Sequence, residues 1–234
     1  MLEVVNPIAA EAIRLIVFDL DGTLIDSRRD LATAVNAMLA QMGRRALPEP
    51  VIGEYVGDGA GMLVRRALGD PDDEALVEDG LERFLARYRT HMLDHTYVYE
   101  GVFAALDALR SMPDGSERAF AVLTNKPVRP AQRICDALGL GNYFFGIYGG
   151  NSFTTKKPDP EGLQTLMREA GVRPEQTLMV GDSVVDVLTA RNAGTAVIGC
   201  RFGMSSHTLE TVSSDCLVDA PLEWAMALSA VVRP

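Results

Sequence analysis

Residues 13–27 read IRLIVFDLDGTLIDS, and this stretch decides the fold. IRLIVFDL (13–20) is a short apolar run that ends in acids and a glycine, the pattern of a buried strand stopping at a polar edge. Asp19 and Asp21 are two positions apart, so a continuing strand sends both side chains to one face. Gly22 follows, a residue free to turn where the backbone approaches an anion. In an open parallel sheet, ligands bind at the carboxyl ends of strands. Carboxylates crowded there are costly unless a cation relieves them. Taken alone, the segment also fits a solvated Asp-Gly turn.

Outward from this run, similar ones recur: RAFAVLT (118–124), FFGIY (144–148), TLMVGD (177–182), TAVIGC (195–200) and DCLVD (215–219). Helical patterns separate most of them, including AQRICDALGL (131–140), EGLQTLMREAG (161–171) and SVVDVLTARNAG (183–194), the last stopped by Gly194. This alternation implies an α/β fold, a parallel sheet with helices on both faces. One block breaks the rhythm. Residues 27–97 offer no convincing strand but several helical stretches, among them LATAVNAMLAQMG (31–43), AGMLVRRALG (60–69) and DEALVEDGLERFLARYRTHML (73–93). The expected organisation is a core of residues 1–26 and 98–234 with an inserted all-helical domain at 27–97. TYVYEGV (96–102) serves as the returning linker.

The 234 residues carry 32 acidic and 22 basic side chains, a net charge of −10 that argues against a nucleic-acid partner. No run is long enough to span a membrane, and the N-terminus lacks the basic residues of a signal peptide. Cys135, Cys200 and Cys216 form no CxxC pair, which points to reduced thiols and a cytoplasmic location. Monomer and homodimer both stay open. Only three residues are lysine, at 126, 156 and 157.

Other strand ends supply matching chemistry. VLTNKP places Thr124 and Asn125 at a strand tip, TTKKPDP places Lys157 before a turn and a helix start, and VGDSVVD supplies Asp182 and Asp186. Acids, a hydroxyl and an ammonium gathered at strand ends suit Mg2+, which takes oxygen ligands and shares substrate phosphate.

The four segments DLDGT, LTN, KKP and GDSVVD together resemble, in order, the motifs of the haloacid dehalogenase superfamily, and within it the phosphoglycolate phosphatase-like enzymes with a small helical cap. The resemblance implies a Rossmann-like core with a cap inserted after the first motif. It implies a magnesium-dependent phosphatase for a small phosphorylated metabolite, 2-phosphoglycolate first. Asp19 would be the nucleophile and Asp21 the general acid and base. Asp19, the carbonyl of Asp21 and Asp182 would hold the metal, with Asp186 placed as an outer or water-mediated ligand. Thr124, Lys157 and backbone amides near Asp21, Gly22 and Asn125 would bind the phosphoryl oxygens, and Arg66 matches a cap position that can meet a substrate carboxylate. Arg65 and Arg66 equally fit an exposed helix face.

The same resemblance sorts the rivals. A dehalogenase would lack the acid at 21, and a phosphonate hydrolase needs a cap lysine that 27–97 does not contain. Sugar phosphomutases fit less well at VGDSVVD, while pyrophosphate and sugar phosphates remain alternative substrates. A phospho-accepting signalling domain would be shorter. Lys126 is expected to be a surface charge, Lys156 a solvated neighbour, and His91, His95 and His207 ordinary polar residues. PLEWAMALSAVV (221–232) is expected to pack a terminal helix, with Trp224, onto the sheet.

Overall fold

The computed structural model describes residues 2–112 and 117–229. Strand β2 (Leu15–Phe18) is an interior strand of the main sheet, in keeping with its unbroken burial. The other strands are β1 (Glu3–Val4), β3 (Ile25–Asp26), β4 (Tyr97–Val98), β5 (Ala119–Leu123), β6 (Gly146–Tyr148), β7 (Thr177–Gly181), β8 (Ala196–Cys200) and β9 (Cys216–Val218). The seven-stranded sheet has the order β1-β9-β8-β7-β2-β5-β6. All its pairings are parallel except β1 with β9.

Alternation along β2 assigns its two faces. Ile16 and Phe18 join one core with α5 (Val102–Arg110), α6 (Val128–Ala137) and α9 (Glu223–Ser229). Leu15 and Val17 join a second with α7 (Glu161–Ala170) and α8 (Val184–Ala193). Trp224 is buried with its ring centroid 5.3 Å from that of Phe18, so α9 does pack on the sheet. The end of that stripe, residues 230–232, lies outside the described residues.

Between β3 and β4 lie four helices: α1 (Arg28–Gln41), α2 (Glu49–Glu54), α3 (Ala60–Ala67) and α4 (Glu74–His91). Leu31, Ala34, Val35, Met38 and Leu39 form the buried stripe of α1. Gly80 lets α4 come close: a Cβ there would lie 3.0 Å from both Leu68 and Val64 side chains. Asp73 caps α4 by accepting from the Leu76 amide at 3.2 Å. The apolar side of this block merges with the α5–α6 face of the sheet into one core.

Two departures from expectation concern very short strands. The ends of the insertion form a two-stranded antiparallel ribbon, with Ile25 opposite Val98 and Asp26 opposite Tyr97. β1 was also unread, because two-residue strands are too short to show alternation. The ribbon is braced by buried Asp30, whose Oδ2 accepts from the His95 amide, the Thr96 amide and Thr96 Oγ1 at 2.8–2.9 Å. Among the described residues, no helix is long and apolar enough to cross a membrane.

Candidate active site

The C-terminal ends of β2, β5 and β7 lie side by side in the sheet, so the residues just beyond them converge. Asp19 follows β2, Thr124 and Asn125 follow β5, and Asp182 follows β7. Lys157 comes from the loop before α7, and Asp186 sits in the first turn of α8. Oxygen atoms of Asp19, Asp182 and Asp186, all buried, lie within 4.8 Å of one another.

Lys157 is the counter-charge inside this cluster. Its Nζ lies 2.8 Å from Asp19 Oδ1 and 2.6 Å from Asp186 Oδ1. Burial opposes its charge, but Asp186 and Asp19 outweigh burial and raise its pKa above the ordinary lysine value. Asp186 is fully occupied: Oδ1 accepts from Lys157, while Oδ2 accepts from the Ser183 amide at 3.1 Å and Ser183 Oγ at 2.7 Å. Asp182 Oδ2 accepts from the Ser205 amide at 2.9 Å.

Three carboxylates against one ammonium leave two negative charges uncompensated. Burial first and this imbalance second shape the protonation behaviour. Burial pushes Asp19 up to about 6 despite Lys157, with Asp186 and Asp21 adding to the rise. Burial and then its acidic neighbours hold Asp182 well above the carboxylate range. An all-oxygen donor set with a deficit of two charges fits a hard divalent cation.

Asp21 has a lysine of its own. Lys126 Nζ lies 2.9 and 2.8 Å from its two carboxylate oxygens, and Ser27 Oγ donates to Oδ1. This corrects the expectation of a surface charge: the Lys126 side chain is only 5 % exposed. Its ammonium also stands 4.9 Å from the ring centroid of Tyr88 in α4. Burial opposes its charge, and Asp21 more than restores it.

Other candidates have different employment. The Gly22 amide donates to the Ile25 carbonyl at 2.9 Å, so it is not an open phosphate donor. Gly22, at φ +88°, instead makes room: a Cβ there would lie 2.1 Å from Asp182 Oδ2. Arg66, the expected carboxylate reader, hydrogen-bonds Asp58 and the Tyr55 carbonyl and lies outside the cavity wall. Its planar group is spent on the loop before α3. Thr124 is buried, and its Oγ1 accepts from the Lys126 amide at 3.2 Å.

That loop meets the core through three successive carbonyls. Ser205 Oγ donates to Val56, Asn125 Nδ2 to Gly57 and Lys156 Nζ to Asp58, at 2.9, 2.9 and 2.8 Å. Asn125 Nδ2 also donates to the Lys157 carbonyl at 3.0 Å, so its amide is a strut between insert and core. Lys156 is exposed, as expected of a solvated neighbour, and its ammonium also tethers this loop. Gly203 was missed altogether: a Cβ on it would lie 2.2 Å from Asp182 Cβ and 2.5 Å from the Gly22 carbonyl. No sequence pattern separates this glycine from an ordinary turn residue. His91, at the end of α4, pairs with Arg87 of the same helix and with Asp94 just beyond it.

Between core and insert lies a small cavity, with about 50 Å³ open to the centre of a water molecule. Asp19, Asp21 and Lys126 line its core side, and Leu63, Phe84 and Tyr88 its insert side.

Carboxylates and a lysine at the strand ends of a doubly wound sheet, closed over by a helical insertion, define a hydrolase of the phosphoryl-transfer type. The chain belongs to the haloacid dehalogenase-like hydrolase family, whose model matches residues 16–200. It is 43 % identical to a phosphoglycolate phosphatase of Pseudomonas putida over 88 % of this chain and 76 % of the relative. It is 39 % identical to one of Chromobacterium violaceum over 90 % of this chain and 94 % of the relative. The crystal structure of a predicted phosphoglycolate phosphatase from Haemophilus somnus 129pt superposes with a TM-score of 0.82 at 30 % identity, covering 91 % of this chain and 96 % of that one.

Proposed function

We propose that this protein is a magnesium-dependent phosphatase that hydrolyses 2-phosphoglycolate to glycolate and phosphate. The observation that carries the reading is Asp19 within 2.8 Å of Lys157, inside an acidic triad that lacks two positive charges. Asp19, Asp182 and the Asp21 carbonyl would hold Mg2+, with Asp186 supporting through Lys157. When bound, the ion neutralises charge on the phosphoryl oxygens and on Asp19.

Asp19 attacks phosphorus, the ester P–O bond breaks, and an aspartyl-phosphate forms on its carboxylate. Asp21, carrying a proton once the substrate is bound, gives it to the departing glycolate oxygen and is left as the carboxylate. It then takes one from the water that attacks the aspartyl-phosphate, restoring Asp19. Thr124 and Lys157 hold the equatorial oxygens as charge redistributes. Helices α1–α4, within residues 27–97, act as a cap that opens by flexing at the β3/β4 ribbon and closes to exclude water. A cytoplasmic setting is part of this reading, supported by three free, buried cysteines.

Phosphate release from a panel of small phosphoesters is the test. Turnover of 2-phosphoglycolate with Mg2+ should fall to background with EDTA, and Asp19→Asn should lose on the order of 10⁴-fold or more. Full activity of either would sink the mechanism.

A further inference from the structure

We infer that Lys126 and Tyr88 form the subsite for the substrate's carboxylate, and so select a short phosphate ester bearing an acid group. This rests on the phosphatase reading above and assigns its specificity.

Burying an ammonium is costly unless a partner offsets it. Among the described residues, Asp21 is the one carboxylate that Lys126 pairs with. An ammonium carries three donors, and two of them reach the Asp21 oxygens at 2.9 and 2.8 Å. The third is on the side of Tyr88, whose ring centroid is 4.9 Å from Nζ.

Tyr88 supplies an independent observation. Its side chain lines the cavity and is 2 % exposed, yet its hydroxyl has no acceptor among the described residues. Burial pushes that phenol up to about 12, so the proton stays on oxygen at neutral pH. A buried O–H without an acceptor is an energetic fault unless a ligand cures it. An ammonium and an O–H donor side by side are the partners of a carboxylate.

Placement agrees. In 2-phosphoglycolate the carboxyl carbon is two bonds beyond the ester oxygen that Asp21 protonates. A group so close must lie beside Asp21, where Lys126 already is. Lys126 is also the one cationic residue lining this cavity among the described residues, and the nearby insert wall is apolar at Leu31, Leu63 and Phe84. Arg66 offers no competing charge, being turned to Asp58.

The test compares 2-phosphoglycolate with ethyl phosphate, the same chain without its acid, at saturating Mg2+. Wild type should favour 2-phosphoglycolate in kcat/KM. Lys126→Met should lower that preference by about 10- to 100-fold, as for a lost hydrogen bond to a charged group, and Lys126→Arg should recover part of it. Tyr88→Phe removes one oxygen and keeps the packing, so it should lower the preference by about 5- to 10-fold, mostly through KM. Equal losses on both substrates, or no loss in Tyr88→Phe, overturn the subsite. If Lys126→Met fails to fold, the Tyr88→Phe ratio decides alone. Wild-type turnover of both esters without preference also overturns the subsite but leaves the phosphatase reading standing. Absence of phosphate release from either ester overturns that reading itself.

Discussion

Lys157 and Lys126 are both buried beyond the ends of sheet strands, yet their surroundings differ in charge. Lys157 touches Asp19 and Asp186 with Asp182 close by, so its centre is short of positive charge. Lys126 pairs with Asp21 as its one carboxylate among the described residues, so that pair is balanced when Asp21 is ionised, and it faces Tyr88 of the insert. The first is built wholly from core residues and suits a metal and a phosphoryl group, whose charges are fixed. The second joins core to insert and suits the part of a substrate that varies. Uncompensated charge marks where an ion belongs, and a balanced pair marks where selection takes place.

Among the changes that separate the two lysine centres while leaving Asp19 in place, the largest expected effect comes from removing the support under Lys157. Asp186→Asn would turn one oxygen into an amide donor facing either the ammonium or the Ser183 donors. Activity should fall on the order of 10²- to 10³-fold, read as kcat at saturating Mg2+. The comparison breaks if Asp186→Asn proves milder than Lys126→Met on a substrate without a carboxylate.

Next comes Gly203→Ala. Its Cβ would collide with Asp182 and the Gly22 carbonyl, both at or under 2.5 Å. The displaced carboxylate should weaken Mg2+ binding by about 10- to 100-fold, measured by titrating activity against free Mg2+. Unchanged metal affinity would show that Asp182 has no part in holding the ion.

A pH series sharpens the contrast. Without a cation, folded Asp19 holds its proton up to about 6, against 3.8 ordinarily. The native state then binds more protons than the unfolded chain, so this group costs stability as pH rises from about 4 to 6. A divalent ion competes with that proton. The rise in Tm produced by Mg2+ should therefore be a few degrees larger at pH 7.5 than at pH 5. An equal rise at both would place the ion elsewhere.

The smallest effect belongs to the tether. Ser205→Ala removes one of three donors that hold the loop before α3, while the Ser205 amide still serves Asp182. A loss of about 1 kcal/mol in closure should raise KM about five-fold with little change in Mg2+ affinity. A change in metal affinity would mean that the Ser205 hydroxyl, and not the amide alone, serves the core centre.

Much of the core was legible because chemistry follows apolar runs. Each long buried strand announces itself by continuous Val, Ile, Leu and Phe, and the residues that interrupt the run lie at its tip. Asp19, Thr124 and Asp182 could be placed together on that ground, and the helical block at 27–97 stood out by its period. The two-residue strands β1, β3 and β4 left no periodic trace. Gly203 lies in a turn whose only peculiarity is the carboxylate packed on it.

What the sequence determined alone is therefore local: which runs become strands, which residues stand at their ends, and that a helical block interrupts them. Tertiary structure decided the employment of every long, mobile side chain. Lys126 meets Asp21 across 105 positions, Lys156 reaches Asp58 across 98, and Arg66 settles on a neighbour eight residues away. A lysine or arginine can point anywhere within several ångströms of its backbone. Burial and the nearest unpaired charge choose its direction, and both exist only once the chain has folded.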